Sequence, residues 1–179
     1  MTRYANKGES ALQPGGKTDA TTGSKSTSSS REASLTQHWD HPDPFVVVHE
    51  VSSADIDELG HANNVCYPSW LERCAWEHSA AVGYDVDNML AINHAMVVRE
   101  TRMQYLLATF AQDRLHIGDW IVRCDGKLRA TRGFQIIREQ DLKTVMRAEI
   151  DYVCINIESG RPSRMPPEFV VAYTEMRSA

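Results

Sequence analysis

The fold of this chain is decided where ionisable and amide side chains crowd a turn directly ahead of a helix, in Asp55-Ile-Asp-Glu-Leu-Gly-His-Ala-Asn-Asn-Val-Cys-Tyr-Pro-Ser-Trp-Leu-Glu72. The run before it, Phe45-Val-Val-Val48, predicts a strand because β-branched and aromatic side chains pack well on a pleated surface. The order along the chain is therefore strand, acidic turn and helix.

The helix is predicted from apolar residues that recur at steps of three and four. They are Tyr67, Trp70, Leu71, Cys74, Ala75, His78, Ala81 and Val82. Asn63 or Asn64 is expected to cap the helix start, and Gly83 to end it. Pro68 fits only within the first turn, where most backbone N–H groups have no intrahelical acceptor.

Asp57 lies just ahead of this helix start. Free N–H groups and the helix dipole stabilise negative charge there, and a neighbouring carboxylate can act as base or nucleophile in acyl transfer. A lone Asp in a loop is more often a turn residue. Asp57, His61, Asn63 and Asn64 nevertheless cluster within eight residues, which favours a site.

Length and composition fit one globular domain. The chain has 179 residues, 42% hydrophobic and 24% charged, and its net charge of -5 with scattered Lys and Arg argues against a nucleic-acid partner. No apolar run approaches the ~20 residues of a membrane span, so no membrane is expected. The four cysteines show neither CxxC nor metal-ligand spacing, so we expect reduced core thiols and no metal; they are Cys66, Cys74, Cys124 and Cys154. Reduced thiols also indicate a cytoplasmic location.

The first part of the chain is predicted to be a disordered Ser/Thr-rich tail and linker over residues 1–40, followed by one domain over residues 41–179. The junction His38-Trp-Asp-His-Pro-Asp-Pro44 has two His and two Asp residues, which raises the question of a metal site. It lacks a second ligand cluster, so a surface linker is favoured, in which Trp39 can cover an apolar edge.

The second half is rich in Val, Ile and aromatic residues, and turn cues divide it into four predicted strands. These cover residues 94–108, 114–124, 127–138 and 143–157. Residues 84–93 are interpreted as a connection that borders a pocket, and Met165-Pro-Pro-Glu168 as the start of a C-terminal helix. One strand, one helix and four further strands indicate an α+β fold with an antiparallel sheet.

The stretch from Asp55 to Glu72 resembles the signature of hotdog-fold acyl thioesterases, the group that includes 4-hydroxybenzoyl-CoA thioesterase, its bacterial acyl-CoA relatives and the plant acyl-carrier-protein thioesterases. The resemblance extends over about residues 44–170, through Met96–Tyr105, Asp113–Ile117 and Ala148–Pro162. It implies a sheet of about five strands wrapped around a long central helix. It also implies a homodimer or homotetramer with sites at the subunit interface.

The resemblance assigns Asp57 to the carboxylate that attacks the thioester or activates water, and the backbone N–H around Asn64 to the amide that polarises the carbonyl. His61, Asn63 and Asn64 align with the His-x-Asn-Asn run of the plant enzymes, where the His is among the catalytic residues. A structural role for His61 at the turn is an equal alternative. Leu59 replaces a catalytic Asn of the plant pattern, and Asn64 replaces a His of many bacterial members, so the chain matches neither pattern fully.

Two further carboxylates receive structural interpretations. Glu72 matches an acidic position on the family helix and is interpreted as a buried hydrogen-bond partner, with a base facing the site across a dimer interface as the alternative. Asp55 is interpreted as a turn or capping residue.

A CoA substrate needs cations for its phosphates. The segment Lys127–Phe134 lies near the nucleotide-binding basic segment of the 4-hydroxybenzoyl branch, which makes Arg129 and Arg132 the candidates, ahead of Arg99 and Arg102. For each of them a solvated strand face is the simpler interpretation. The resemblance thus implies an acyl-CoA thioesterase without a cofactor, CoA being part of the substrate. An acyl-carrier-protein thioesterase and a non-catalytic acyl-CoA-binding hotdog protein are the alternatives.

Overall fold

The computed structural model describes residues 35–178, without the side chains of Glu175, Arg177 and Ser178. The predicted disordered tail falls mainly on residues 1–34, outside the described residues, so the division at residue 40 stays a prediction. Within the described part, packing begins before that point, because Leu35 is buried.

Five strands, three α-helices and two short 3-10 helices, Thr36–His38 and Ser53–Asp55, make up the described fold. The strands are β1 (Phe45–Glu50), β2 (His94–Tyr105), β3 (Arg114–Cys124), β4 (Arg129–Arg138) and β5 (Lys143–Asn156), and the helices are α1 (Cys66–Ala81), α2 (Val86–Ala91) and α3 (Pro167–Ser178). The strands form one antiparallel sheet in the order β1-β3-β4-β5-β2. The predicted α+β fold, with a five-stranded sheet and a long helix, is confirmed.

Local signals set both ends of α1. Pro68 is its third residue, inside the first turn as predicted. At the other end Gly83 adopts a φ of +85°, and the N–H groups of Gly83 and Tyr84 donate to the carbonyls of Ala80 and Ser79 at 2.9 and 2.8 Å. This pattern is a Schellman motif, which uses a glycine in the left-handed region to satisfy the last carbonyls.

The inward side of α1 largely follows the predicted apolar stripe. Its buried residues are Tyr67, Trp70, Leu71, Cys74, Ala75, His78 and Ser79. Ala81 is exposed and Val82 half-buried, because the helix ends there and leaves the sheet. Opposite the stripe, the inward residues of the central strands complete the core, among them Leu115, Ile117, Phe134, Ile136 and Met146.

Residues 84–93 were expected to be a connection, and this is wrong in part: they contain α2. Asp85 caps that helix by accepting a hydrogen bond from the Asn88 N–H at 2.9 Å. A helix of six residues is too short to show a period of 3.6 clearly, which is why the apolar pattern missed it.

The segment before β1 packs along the outer face of the sheet. Trp39 lies so close to Gly118 that a Cβ there would meet its ring at 2.7 Å. The Asp40 N–H donates to the Gln135 side chain at 2.7 Å, the Asp40 carboxylate pairs with Arg147, and His41 stacks on Trp120 with ring centroids 5.5 Å apart. The polar residues of this junction therefore bind protein groups.

The cysteines are free thiols, with Cys74 and Cys154 buried and Cys66 and Cys124 half-buried. No group of three or more His, Cys, Asp or Glu side chains within residues 35–178 is placed to hold a metal ion. None of the helices described has both the length and the apolar character needed to cross a membrane.

Candidate active site

The site stretch forms a narrow turn closed by an antiparallel bridge between Ile56 and Ala62. Inside that bridge the Asp57 N–H donates to the His61 carbonyl at 3.0 Å, and the Gly60 N–H donates to the Asp57 carbonyl at 3.0 Å. Gly60 has a φ of +81°, a conformation that favours glycine. The turn therefore places Asp57 and His61 side by side.

The two side chains remain accessible. The Asp57 and His61 side chains are 23% and 35% exposed, and Asp57 Oδ2 lies 3.6 Å from His61 Nδ1. The other carboxylate oxygen of Asp57, Oδ1, accepts a hydrogen bond from the Leu59 N–H at 2.9 Å. That bond holds the carboxylate and leaves Oδ2 towards His61, at a distance that suits an ion pair when the imidazole is protonated.

The turn is fixed to the body of the protein through Thr109. The Ala62 N–H donates to the Thr109 carbonyl at 2.8 Å, and the hydroxyls of Tyr67 and Thr109 lie 2.9 Å apart. Tyr67 and Thr109 are both buried. This anchor connects the turn, α1 and the loop after β2.

The two asparagines have different roles. Asn63 Oδ1 accepts a hydrogen bond from the Val65 N–H at 3.1 Å, and its carbonyl accepts from the Cys66 N–H at 2.9 Å. Val65 is the N-cap residue of α1 and no side chain of the described residues caps the helix, so the expected cap by Asn63 or Asn64 is wrong. Asn63 instead shapes the turn that leads into α1. Asn64 is exposed, and its carbonyl accepts from the Tyr105 hydroxyl at 3.3 Å. Within the described residues no acceptor is positioned for the Asn64 N–H, which leaves it available to a ligand.

Asp55 has the structural role that the sequence suggested. Its Oδ2 accepts from the Ser52 N–H and hydroxyl at 2.8 and 2.9 Å, in a capping box. Burial acts to raise the pKa of the Asp55 carboxyl, but the two hydrogen bonds from Ser52, with smaller contributions from His49 and Cys66, hold that pKa below its ordinary value.

A cavity of about 840 Å³ lies between α1 and the inner side of the sheet. Its wall extends along α1 from Val65 and Pro68 to Ser79, and strands β2 and β5 supply much of the opposite side. The lining is mainly apolar, as in small-molecule sites generally. Met89 of α2 contributes to it, so the segment 84–93 does border this pocket.

A second cavity of about 200 Å³ adjoins the turn and is lined by His61, Asn64, Tyr67 and Tyr105 among others. Asp57 lies on the wall of neither cavity, although His61 and Asn64 beside it line the smaller one. The single chain thus brings the turn residues close to both cavities without enclosing the carboxylate.

Glu72 is not the buried hydrogen-bond partner that the sequence suggested. It is exposed on α1 and lines the large cavity, and no hydrogen bond or ion pair to it exists among the described residues. Glu72 shares the cavity side of α1 with Pro68, Ala75 and Trp76, which lie three or four residues away and line the same cavity. Within the described part of the chain, the large cavity therefore contains one carboxylate without a partner.

The candidate phosphate ligands differ in position. Arg129 is exposed at the start of β4. The expectation that Arg132 lies on a solvated strand face is wrong: only 1% of it is exposed, because it alternates inward with Ala130 and Phe134 and pairs with Asp119 on β3. Arg102 is engaged with Glu100 at 2.9 Å, and Arg99 lies 3.8 Å from the same carboxylate.

Arg132 belongs to a buried polar cluster that sequence patterns did not reveal. Its guanidinium binds Asp119, donates to the Ser79 hydroxyl at 2.9 Å, and lies 5.5 and 6.0 Å from the ring centres of Tyr173 and Tyr152. Burial acts to lower the pKa of Arg132, but Asp119 together with Tyr173 and Tyr152 raises that pKa above its ordinary value, so the side chain stays charged. The β3–β4 register places Ile121 opposite Arg132 and Phe134 opposite Asp119, so Arg132 and Asp119 are diagonal neighbours. The sequence alone does not reveal this register.

Comparisons with known proteins agree with this architecture. Residues 51–172 match the model of the Thioesterase-like superfamily. The fold is similar to a 1,4-dihydroxy-2-naphthoyl-CoA thioesterase from Synechocystis, with 16% identity, a TM-score of 0.67, and 75% of this chain and 98% of that one covered. It is also similar to a protein of Staphylococcus aureus solved in complex with CoA, with 17% identity, a TM-score of 0.69, and 75% and 86% of the two chains covered.

A probable thioesterase of Escherichia coli is similar at 24% identity and a TM-score of 0.65, over 74% of this chain and 98% of that one. Among curated protein sequences no significant match is found. These structures share the hotdog architecture that the sequence predicted. Because the superfamily model spans well over half of the sequence, the chain belongs to the Thioesterase-like superfamily, which confirms the prediction of a thioester hydrolase at that level.

Proposed function

We propose that this protein hydrolyses acyl-CoA thioesters, with Asp57 as the reacting carboxylate and the Asn64 N–H as the donor to the thioester oxygen. The observation that carries the proposal is the pairing of an accessible carboxylate, Asp57, with the helix-start amide of Asn64, which has no acceptor among the described residues. The two lie seven residues apart on one anchored turn. Two proteins of similar fold, the 1,4-dihydroxy-2-naphthoyl-CoA thioesterase and the Staphylococcus aureus protein solved in complex with CoA, support CoA as the carrier.

In this mechanism the developing negative charge on the carbonyl oxygen is stabilised by the amide and the helix dipole. Asp57 either attacks the carbonyl carbon, giving an anhydride that water then hydrolyses, or takes a proton from the attacking water. In both routes the C–S bond breaks, CoA leaves as the thiol and the acid is released. His61, 3.6 Å from Asp57 Oδ2, stabilises the carboxylate or transfers the proton.

We further propose that a second copy of the chain completes the site. β2 is an edge strand of 12 residues whose outer backbone groups have no partner strand within residues 35–178, and Val98 on it is 53% exposed. An unpaired edge of this length favours association with another strand. Val97, Val98, Thr101 and Met103 of β2 line the large cavity, so pairing there would help to close it around a substrate. Homodimer or homotetramer assembly would also enclose Asp57.

Glu72 is the alternative reacting carboxylate, because it lines the large cavity, which Asp57 does not, and has no partner among the residues that the structure describes. For the phosphates of CoA we retain Arg129, which is exposed. Arg132 is less suited to that role, since its guanidinium is already bound within the core.

The experiment is thiol release from a panel of short, medium, long and aromatic acyl-CoAs, using the full chain and the variants Asp57→Asn and Glu72→Gln. We expect Asp57→Asn to reduce kcat by about 10²–10⁴-fold and Glu72→Gln to reduce it by less than about tenfold. Arg129→Ala should raise KM and leave kcat nearly unchanged, because it removes binding that is equal in the ground and transition states.

The opposite ranking would assign the chemistry to Glu72. Turnover that survives in both variants would leave His61 as the group to test. If no acyl-CoA releases thiol, acyl-carrier-protein thioesters are the next substrates, and binding of acyl-CoA without turnover of either carrier would favour a binding-only role.

A further inference from the structure

The large cavity is apolar along most of its length but polar at one end. Near the start of α1 its wall has Val65 and Pro68, whereas at the far end Ser79, Arg132, Tyr152 and Tyr173 line it. These four residues are between 1% and 8% exposed, so the polar end is the deep one. A few polar groups in an otherwise apolar cavity give a ligand its orientation and specificity.

Within residues 35–178 one hydroxyl at the deep end is left without a hydrogen bond. It belongs to Tyr152, which is 8% exposed. Arg132 beside it is bound more fully, because its guanidinium pairs with Asp119, donates to the Ser79 hydroxyl at 2.9 Å and contacts Tyr173. An oxygen on a ligand can therefore exchange a hydrogen bond with the Tyr152 hydroxyl, next to the Arg132 guanidinium.

The charges around the cavity favour a neutral oxygen over a carboxylate. Arg132 and Glu72 are the charged residues of the cavity wall, and Asp119 already neutralises Arg132 from behind. A second carboxylate beside Arg132 would stand near Asp119 without a cation of its own. A hydroxyl or carbonyl oxygen brings no such repulsion.

The distance between the two ends sets the size of the ligand. Val65 and Ser79 are fourteen residues apart on the cavity wall, which corresponds to ~21 Å at about 1.5 Å per helical residue. An extended chain advances about 1.2 Å per bond, so roughly 15 to 18 bonds span the cavity. A single aromatic ring attached to the thioester at the helix start would not reach the deep end.

We infer that the substrate is a long-chain acyl thioester whose acyl group has a neutral oxygen, as a hydroxyl or a carbonyl, near its far end, held by the Tyr152 hydroxyl. This inference rests on the proposed function for the position of the thioester. Tyr152 is then a specificity-determining residue, because it distinguishes an oxygenated chain from a plain one.

The test compares matched substrates on the full chain: hexadecanoyl-CoA, 16-hydroxyhexadecanoyl-CoA and hexadecanedioyl-CoA, with the same three end groups at 10, 12, 14 and 18 carbons. For chains of 14 to 18 carbons we expect kcat/KM to be about three- to tenfold higher with the hydroxyl than without it, the contribution of about one net hydrogen bond. In Tyr152→Phe, which removes only the hydroxyl, the ratio should fall towards one. Tyr84→Phe is the matched control, since Tyr84 packs on Phe169 outside the cavity wall, and should keep the ratio.

Three results would overturn the inference: a ratio of one or less at every chain length, a ratio that Tyr152→Phe leaves unchanged, or a preference for the dicarboxylic chain. Calorimetric titration with free hexadecanoic and 16-hydroxyhexadecanoic acids separates this inference from the proposed function. If no thioester is cleaved, the proposed function fails. The protein can still bind the hydroxy acid more tightly than the plain acid, and loss of that difference in Tyr152→Phe would support binding of a neutral oxygen at the deep end. Equal binding of the two acids would refute it.

Discussion

The two ends of α1 hold polar residues in opposite ways. At its start, Asp57 and His61 are partly exposed and are held by hydrogen bonds within a few residues of each other. At its end, His78 lies against Asp119 and Arg132, from two different strands, and all three are at most 5% exposed. A site built on a local turn is open to reagents and tolerates change, whereas a cluster assembled from distant segments is part of the core.

The largest expected difference between the two ends is in stability. Asp119→Ala should lower the free energy of unfolding by about 3–5 kcal/mol, because it leaves the Arg132 charge buried without its partner. Asp57→Ala, the matched change at the exposed end, should alter it by no more than about 0.5 kcal/mol. Urea unfolding followed by tryptophan fluorescence measures both values. Similar losses for the two variants would show that the turn is as integral to the core as the buried cluster.

A smaller effect is expected from the anchor that joins the exposed end to the body. Tyr67→Phe removes the hydroxyl 2.9 Å from Thr109 and leaves a fully buried hydroxyl without its partner. We expect a loss of about 1–2 kcal/mol in the free energy of unfolding. Tyr105→Phe provides the control, because Tyr105 lines the same small cavity but is 44% exposed, and it should cost less than about 0.5 kcal/mol. Equal stability of the two variants would contradict this, because it would show that the buried Tyr67–Thr109 contact stabilises the protein no more than the exposed Tyr105 hydroxyl.

The same contrast explains what could be predicted from the sequence. The start and end of α1 depend on Pro68 and Gly83, whose backbone preferences act within one turn, so the helix was predicted closely. The turn residues were found for the same reason, since Asp57, His61, Asn63 and Asn64 are neighbours along the chain. The role that each has in the chemistry stays a prediction.

The buried cluster could not be found in this way. Arg132 occupies an inward position on β4, but its burial depends on Asp119, which lies across the β3–β4 register, and on Ser79 and Tyr173 from two helices. An arginine in a strand is ordinarily exposed, and nothing adjacent in sequence indicates otherwise. Glu72 was expected to be a buried hydrogen-bond partner for a related reason. Whether its side of α1 contacts the sheet or a cavity depends on the distance between α1 and β2, which the sequence does not indicate.

The smallest expected effect concerns the acid sensitivity of the exposed end. The hydrogen bonds from Ser52 hold the pKa of Asp55 below its ordinary value, so the ionised carboxylate stabilises the folded state more than the unfolded one. That stability is fully present above the unfolded pKa of about 3.9, and it is lost as the pH falls through the lower pKa of the folded state. Replacing Asp55 by Asn removes the titrating group, so the variant should lose less stability than the wild-type protein as the pH is lowered from about 5 to about 2.

Urea unfolding at a series of pH values measures this difference, with Asp87→Asn as the control because Asp87 lies exposed on α2 with no described hydrogen bond or ion pair. The control should follow the wild-type dependence on pH. If Asp55→Asn also follows it, the capping box contributes no ionisation-linked stability, and the turn is held in place by Thr109 and the backbone bonds alone. If Asp55→Asn makes stability depend less on pH, the ionised Asp55 carboxylate stabilises the turn through Ser52, its neighbour in sequence. The charges at the exposed end of α1 are then held by local contacts, whereas those of the buried cluster are held by residues from distant segments.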